Sequence, residues 1–257
     1  MSSTPRIPKA EITGLYGYLL KRFSRKLLGE VPESAGVMWH NRTVLTSLTA
    51  LGRKTKKWDQ LDPNLKSFAT MAVAALVGCS WCLDFGYFDA HNEGLDEAKA
   101  SEVPRWREST VFTSLERDVL EFAEAMSETP PRVTDDLFAR LLKQLGAPAM
   151  VELTASVGFA NLTTRCNTAM GIEAQGFSKA CKLPLAQPSA GYATSASTLK
   201  RSRSTAACCS PSPTRCSAPP PTPRTSSRRR GCGGPTSTTR RCATRAPTWC
   251  ASSPVRR

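Results

Sequence analysis

Apolar residues in the first 180 positions recur at helical spacing. Ile12, Tyr16, Leu19, Phe23 and Leu27 share one side of a helix, and Lys21, Arg22, Arg25 and Lys26 take the other. Such a basic amphipathic helix suits either a membrane surface or a protein surface, and it is read as an ordinary surface helix. Asp62-Pro63 predicts a helix start, with an acceptor at the cap and proline in the first turn. The apolar run from Met71 to Gly78 continues that helix. Thr113 and Glu116 have capping-box spacing, and Val119, Phe122, Ala123 and Met126 follow as one face. Pro130-Pro131 ends that helix and Thr134 caps the next, whose buried side should be Leu137, Phe138, Leu141, Leu142 and Leu145, closed by Gly146. A last helix is predicted from about Ala149 to Met170, with Leu153, Val157 and Ala160 inward. No strand-like alternation and no internal repeat interrupts the pattern. The fold class is therefore all-α.

Charge divides the chain in two. Of 257 residues, 35 are basic and 21 acidic, but 13 of the basic residues and none of the acidic ones lie at 188–257. The first 187 residues carry 22 basic against 21 acidic groups, so the net +14 says little about the partners of the helical part. From Arg201 to Arg257 only nine residue types occur, with one Trp and one Val as the large apolar groups. Ordering a residue costs roughly 1–2 kcal/mol of backbone entropy, which such a segment cannot offset. A disordered Arg/Pro/Ser/Thr-rich tail is therefore expected over 188–257. Arg-rich tails bind nucleic acid without sequence recognition. A second reading is that the segment is out of frame. With GC-rich codons and a shift of one nucleotide it can be read as a string containing DAEDVVQETWLRW, which resembles the N-terminal region of an extracytoplasmic-function sigma factor.

The candidate chemistry lies in Cys79-Ser-Trp-Cys82. Two cysteines three apart sit one helical turn apart, close enough for a reversible disulfide. A helix N-terminus also favours thiolate, lowering a cysteine pKa from about 8.5 to roughly 3.5–7.5. No secretory leader pattern and no apolar run of bilayer length occurs, so a cytoplasmic location without membrane contact is expected. In that compartment a CxxC pair is catalytic or metal-binding more often than structural. A zinc site needs four ligands, and outside the tail only Cys166, Cys181, His40 and His91 could complete one, none in paired spacing. No metal is assigned, and no cofactor, since neither GxGxxG nor a Walker loop is present. Inert core thiols are the remaining reading. Asn161 and Arg165, one turn apart, fit a pocket lining, a subunit contact or a plain exposed face. Trp81 is read as packing beside the pair.

The string Gly78-Cys-Ser-Trp-Cys-Leu-Asp-Phe-Gly86 resembles the carboxymuconolactone decarboxylase/alkylhydroperoxidase D (AhpD-like) family. The resemblance covers about residues 35–180 and includes Ser114 to Met126, Asn161, Arg165-Cys-Asn167 and Gln175-Gly-Phe177. It implies an AhpD-like helical domain over 8–183 and a homo-oligomer, with contacts near 10–55 and 150–175. It also implies a thiol-dependent peroxidase: Cys82 attacks a hydroperoxide, Cys79 resolves the sulfenic acid to a Cys79–Cys82 disulfide, and an external dithiol resets the pair. Helix-dipole reasoning alone would favour Cys79 as the attacking group. The family's relay places glutamate twelve residues before the first cysteine and histidine four after the second; here those positions are Ser67 and Gly86. Asp84 and His91 are the supporting candidates left nearby. The alternatives are a lyase of the decarboxylase branch, whose members resemble proteins lacking CxxC, and a non-catalytic, redox-sensing helical oligomer once fused to a sigma factor.

Overall fold

The computed structural model describes residues 5–188; the segment read above as an out-of-frame tail lies almost wholly outside the described residues. Those residues form eight α-helices and two 3₁₀ turns, with no strand among them. The helices are α1 (Gly14–Leu28), α2 (Glu33–Met38), α3 (Arg42–Thr55), α4 (Pro63–Val77), α5 (Ser80–Asn92), α6 (Glu97–Glu102), α7 (Ser114–Ser127) and α8 (Asp135–Met170). The 3₁₀ turns are Val103–Arg105 and Phe177–Ala180.

Helix α4 is wholly apolar from Met71 to Val77, and it becomes the central element. Phe68, Ala69, Met71, Ala72, Val73 and Ala74 are all buried against α5, α7 and α8. Its start is fixed locally: the Asp62 carboxylate accepts from Asn64 N at 2.9 Å and Leu65 N at 3.2 Å, with Pro63 in the first turn. Its end is equally local. Gly78 takes the left-handed conformation (φ 75°), and Cys79 N turns back to donate to Ala74 O at 2.9 Å. Fully burying a side chain such as Phe68 or Met71 contributes about 1.5–3 kcal/mol.

Helix α7 begins with the capping box that its sequence predicts. Glu116 N donates to Thr113 Oγ1, and Thr113 N donates to the Glu116 carboxylate. Val119, Phe122 and Ala123 pack into the core as expected. Helix α8 is broken at Gly146 (φ 76°, ψ 165°), so the two predicted helices meet there at a kink. Leu137 and Leu141 are buried, but Phe138 and Leu142 are about 40% exposed, at 40% and 39%. The buried stripe of that segment is narrower than five residues, because only one edge of it faces α7 and α4.

A second, smaller core joins the first three helices. Ile12, Trp39 and Leu45 are buried together with Leu20 and Val31 packed on them. Tyr16 stacks on Trp39 at 6.0 Å, and the Arg42 guanidinium lies 4.7 Å over the Trp39 ring. No helix among the described residues is long and apolar enough to cross a membrane.

Candidate active site

The turn that ends α4 delivers Cys79 directly to the start of α5. Cys79 is the N-cap residue, and its sulfur accepts from Cys82 N at 3.2 Å. It thus precedes the helix and does not lie on its face, while Cys82 sits in the first turn. The two sulfurs are joined in a disulfide with a Cα–Cα distance of 5.3 Å. Cys79 is 2% exposed, whereas Cys82 is only half-buried. Helix α8 adds a residue that sequence reasoning gave no role. Asn167 Nδ2 donates to Cys82 Sγ at 3.3 Å, and the side chain is 3% exposed. Its Oδ1 is buried and has no hydrogen-bond partner among the described residues.

The relay positions are apolar in character. Ser67 Oγ lies 3.8 Å from the Met71 sulfur. A Cβ placed on Gly86 would stand 3.3 Å from Met71 Cγ. Met71 therefore fills the space between α4 and α5 that a glutamate–histidine pair would need.

Asp84 lies on α5 two residues past Cys82, so it projects to the other side of the helix. It is 4% exposed and holds the chain that follows α8. Its Oδ2 accepts from Gln175 N, Gly176 N and Phe177 N at 3.2, 2.7 and 3.0 Å, and Oδ1 accepts from Ser178 N and Ser178 Oγ at 2.9 and 2.5 Å. Five donors on one carboxylate make a clamp, not a free base. Ser80 Oγ adds a contact by accepting from Ala174 N at 3.2 Å. The clamped segment covers the start of α5 with Phe177, which meets Trp81 and Phe85 edge-on. Trp81 stacks on Phe85 at 5.0 Å and donates from Nε1 to Gln175 Oε1 at 3.0 Å. Gln175 also accepts from Glu33 N at 2.6 Å and donates to Glu30, tying α2 to the site.

His91 is nine residues beyond Cys82, about 13 Å along the helix axis and half a turn round it. Its Nδ1 is 2.9 Å from Glu97 Oε2. With Cys181 these residues form a separate cluster at the far end of α5. Asn161 and Arg165 both reach Ser127. Asn161 Nδ2 donates to Ser127 Oγ at 2.7 Å and Arg165 donates to Ser127 O at 2.6 Å, pinning α8 to the end of α7. Trp81 has the packing role its position suggested, with a polar anchor added. Asn167 and Gln175 were inside the family-like string, but their partners lie 85 and 94 residues away in sequence.

A family model described as the carboxymuconolactone decarboxylase family matches residues 43–125. The uncharacterised protein YnjA of Escherichia coli strain K12 is 38% identical over 134 residues, which span 52% of this chain and 72% of that protein. An alkylhydroperoxidase AhpD core structure, an uncharacterised peroxidase-related protein from Ralstonia eutropha JMP134, superimposes with a TM-score of 0.61 at 16% identity, over 72% of this chain and all of that one. The debrominase Bmp8, solved with 2,3,4-tribromopyrrole, gives a TM-score of 0.56 at 20% identity, over 63% of this chain and 87% of that one. At these identities the two structures share the fold with this chain and nothing finer.

Proposed function

The chain belongs to the carboxymuconolactone decarboxylase family, and from that premise we propose that it is a thiol-dependent peroxidase that reduces hydrogen peroxide or an organic hydroperoxide. The observation that carries this reading is the Cys79–Cys82 disulfide at the start of α5, in which Cys82 is the less buried residue and its sulfur is hydrogen-bonded by Asn167.

In the reduced protein, Cys82 is the attacking thiolate. It is the less buried of the two cysteines, and the Asn167 amide donates to it. Attack on the terminal oxygen of ROOH breaks the O–O bond and forms Cys82–SOH; the RO⁻ that leaves takes a proton from solvent to give ROH. The Cys79 thiol then attacks the sulfenic sulfur, expelling water and restoring the disulfide. An external dithiol returns two electrons and two protons to the pair. Cys79 suits the resolving role because it is buried, within bonding reach of Cys82, and inaccessible to a bulky peroxide. Ser67 and Gly86 supply no base, so proton removal from Cys82 relies on the helix N-terminus and Asn167. Assembly as a homo-oligomer belongs to the same proposal.

The test is peroxide consumption by the reduced full chain with a dithiol reductant. Cys82→Ser abolishes turnover. Cys79→Ser permits one attack and leaves a sulfenic acid at Cys82 that dimedone traps. Undiminished turnover in Cys82→Ser would refute the assignment.

A further inference from the structure

We propose that His91, Glu97 and Cys181 form a binding site for a divalent cation of zinc type, separate from the dithiol. The three residues come from the end of α5, the first turn of α6 and the segment after the 3₁₀ turn Phe177–Ala180. One ligand atom from each, an imidazole nitrogen, a carboxylate oxygen and a thiol sulfur, lies within 4.8 Å of the other two. Tetrahedral zinc, with bonds of about 2.0–2.3 Å, sets its ligand atoms about 3.3–3.8 Å apart, so His91 Nδ1 and Glu97 Oε2, now 2.9 Å apart, must part by about 0.5 Å while the thiol closes by at most about 1 Å. All three side chains are half-buried, which leaves a path from solvent.

The carboxylate is already oriented for the task. Glu97 Oε1 accepts from Leu183 N at 2.9 Å and from Tyr87 OH at 3.2 Å, a hydroxyl that it shares with Leu183 O at 2.8 Å. Those two donors fix the group and leave Oε2 aimed at His91 Nδ1, 2.9 Å away. Hydrogen bonds of this kind hold metal-binding carboxylates in place. The surroundings are also negative, since the Asp84 and Glu97 carboxylates both act on the Cys181 sulfur, and this favours a cation there. Histidine, carboxylate and thiolate together suit zinc over magnesium or calcium. Three protein ligands leave the fourth position to water. The bound ion would staple Cys181, and with it the chain clamped by Asp84, to α5 and α6.

Cobalt, which replaces zinc and is coloured, provides the test. The full chain is used with Cys79 and Cys82 held as the disulfide. Cys208, Cys209, Cys216, Cys232, Cys242 and Cys250 are changed to serine to remove their own thiol signal. Titration with Co²⁺ should give a one-to-one complex with a near-ultraviolet thiolate charge-transfer band, displaced by Zn²⁺. Cys181→Ser should abolish that band, and His91→Ala and Glu97→Gln should each weaken binding at least tenfold with helical circular dichroism unchanged. Tyr87→Phe, which removes the hydroxyl's bonds to Glu97 and to Leu183 O, should weaken it about tenfold with helical circular dichroism unchanged. No saturable binding, or binding and band alike unaltered by Cys181→Ser and His91→Ala, overturns the site. Should a variant lose its helical signal, alkylation of Cys181 in the parent chain decides: equimolar Zn²⁺ protects it if the site exists and leaves it reactive if only hydrogen bonds join these groups.

Discussion

At Cys82 the hydrogen-bonding side chain is an amide, supplied by Asn167 from the opposite helix. A hydrogen bond to a charged group is worth about 1.5–3 kcal/mol, so Asn167→Ala should disfavour the thiolate of reduced Cys82 by about that much. The pH profile of Cys82 alkylation measures this; an unchanged profile would show that the amide does not act on the thiolate. Residue identity at the relay positions has a steric side as well. Gly86→His alone forces Met71 to move, since the new Cβ would meet Met71 Cγ at 3.3 Å. Grafting the relay as Ser67→Glu with Gly86→His should therefore lower the melting temperature unless Met71 is shortened too, and thermal unfolding of the two- and three-site variants distinguishes these cases. The dithiol itself was legible in the sequence because its two members are three residues apart. Asn167 was not, because its partner is 85 residues away and an asparagine late in a helix carries no signal of its own.

Among the elements, the caps were the most legible features, since a cap is a contact within four residues. Asp62, Thr113 and Thr134 all cap as their spacing predicts. The Glu116 cap also sets a pH dependence. Burial raises its pKa, but hydrogen bonds from Lys99 and from Thr113 outweigh that, and the net shift is downward. A carboxylate with a lowered folded pKa contributes stability above its unfolded value near 4.5 and loses it as pH falls through the folded value. The start of α7 should therefore loosen below pH 4.5, and Glu116→Gln should flatten that slope in acid unfolding curves. The Asp84 clamp was not legible, because a carboxylate accepting from Gln175, Gly176, Phe177 and Ser178 has no local pattern. Asp84→Ala leaves four backbone donors and a hydroxyl unmet, and each costs about 1–3 kcal/mol if it stays buried. The expected result is a loss of about 3 kcal/mol or more, with hydrogen exchange at 174–178 rising first. Equal protection in the variant would count against the clamp.

For the molecule as a whole, the all-α class was legible from periodicity alone, since no segment carried strand alternation. Partition into two cores was not. The main core gathers α4, α5, α7 and α8, while α1–α3 share the smaller cluster around Trp39. Helix α1 keeps Leu15 78% exposed, with Tyr18, Leu19, Phe23 and Leu27 exposed beside it. The sequence pattern marked Leu19, Phe23 and Leu27 as an apolar face, but no helix among the described residues covers it. A second copy is the occupant consistent with the proposed homo-oligomer. Phe23→Asp with Leu27→Lys should shift the mass by light scattering toward the monomer, and an unchanged mass would place the contact elsewhere. The central claim, however, rests on two sulfurs. The most direct measurement exposes the fully reduced chain to one equivalent of an organic hydroperoxide and maps the disulfides by mass spectrometry. Two thiols should be lost per chain, in a Cys79–Cys82 bond that does not form in Cys82→Ser. Thiols that stay reduced at 79 and 82 while the peroxide persists would contradict it.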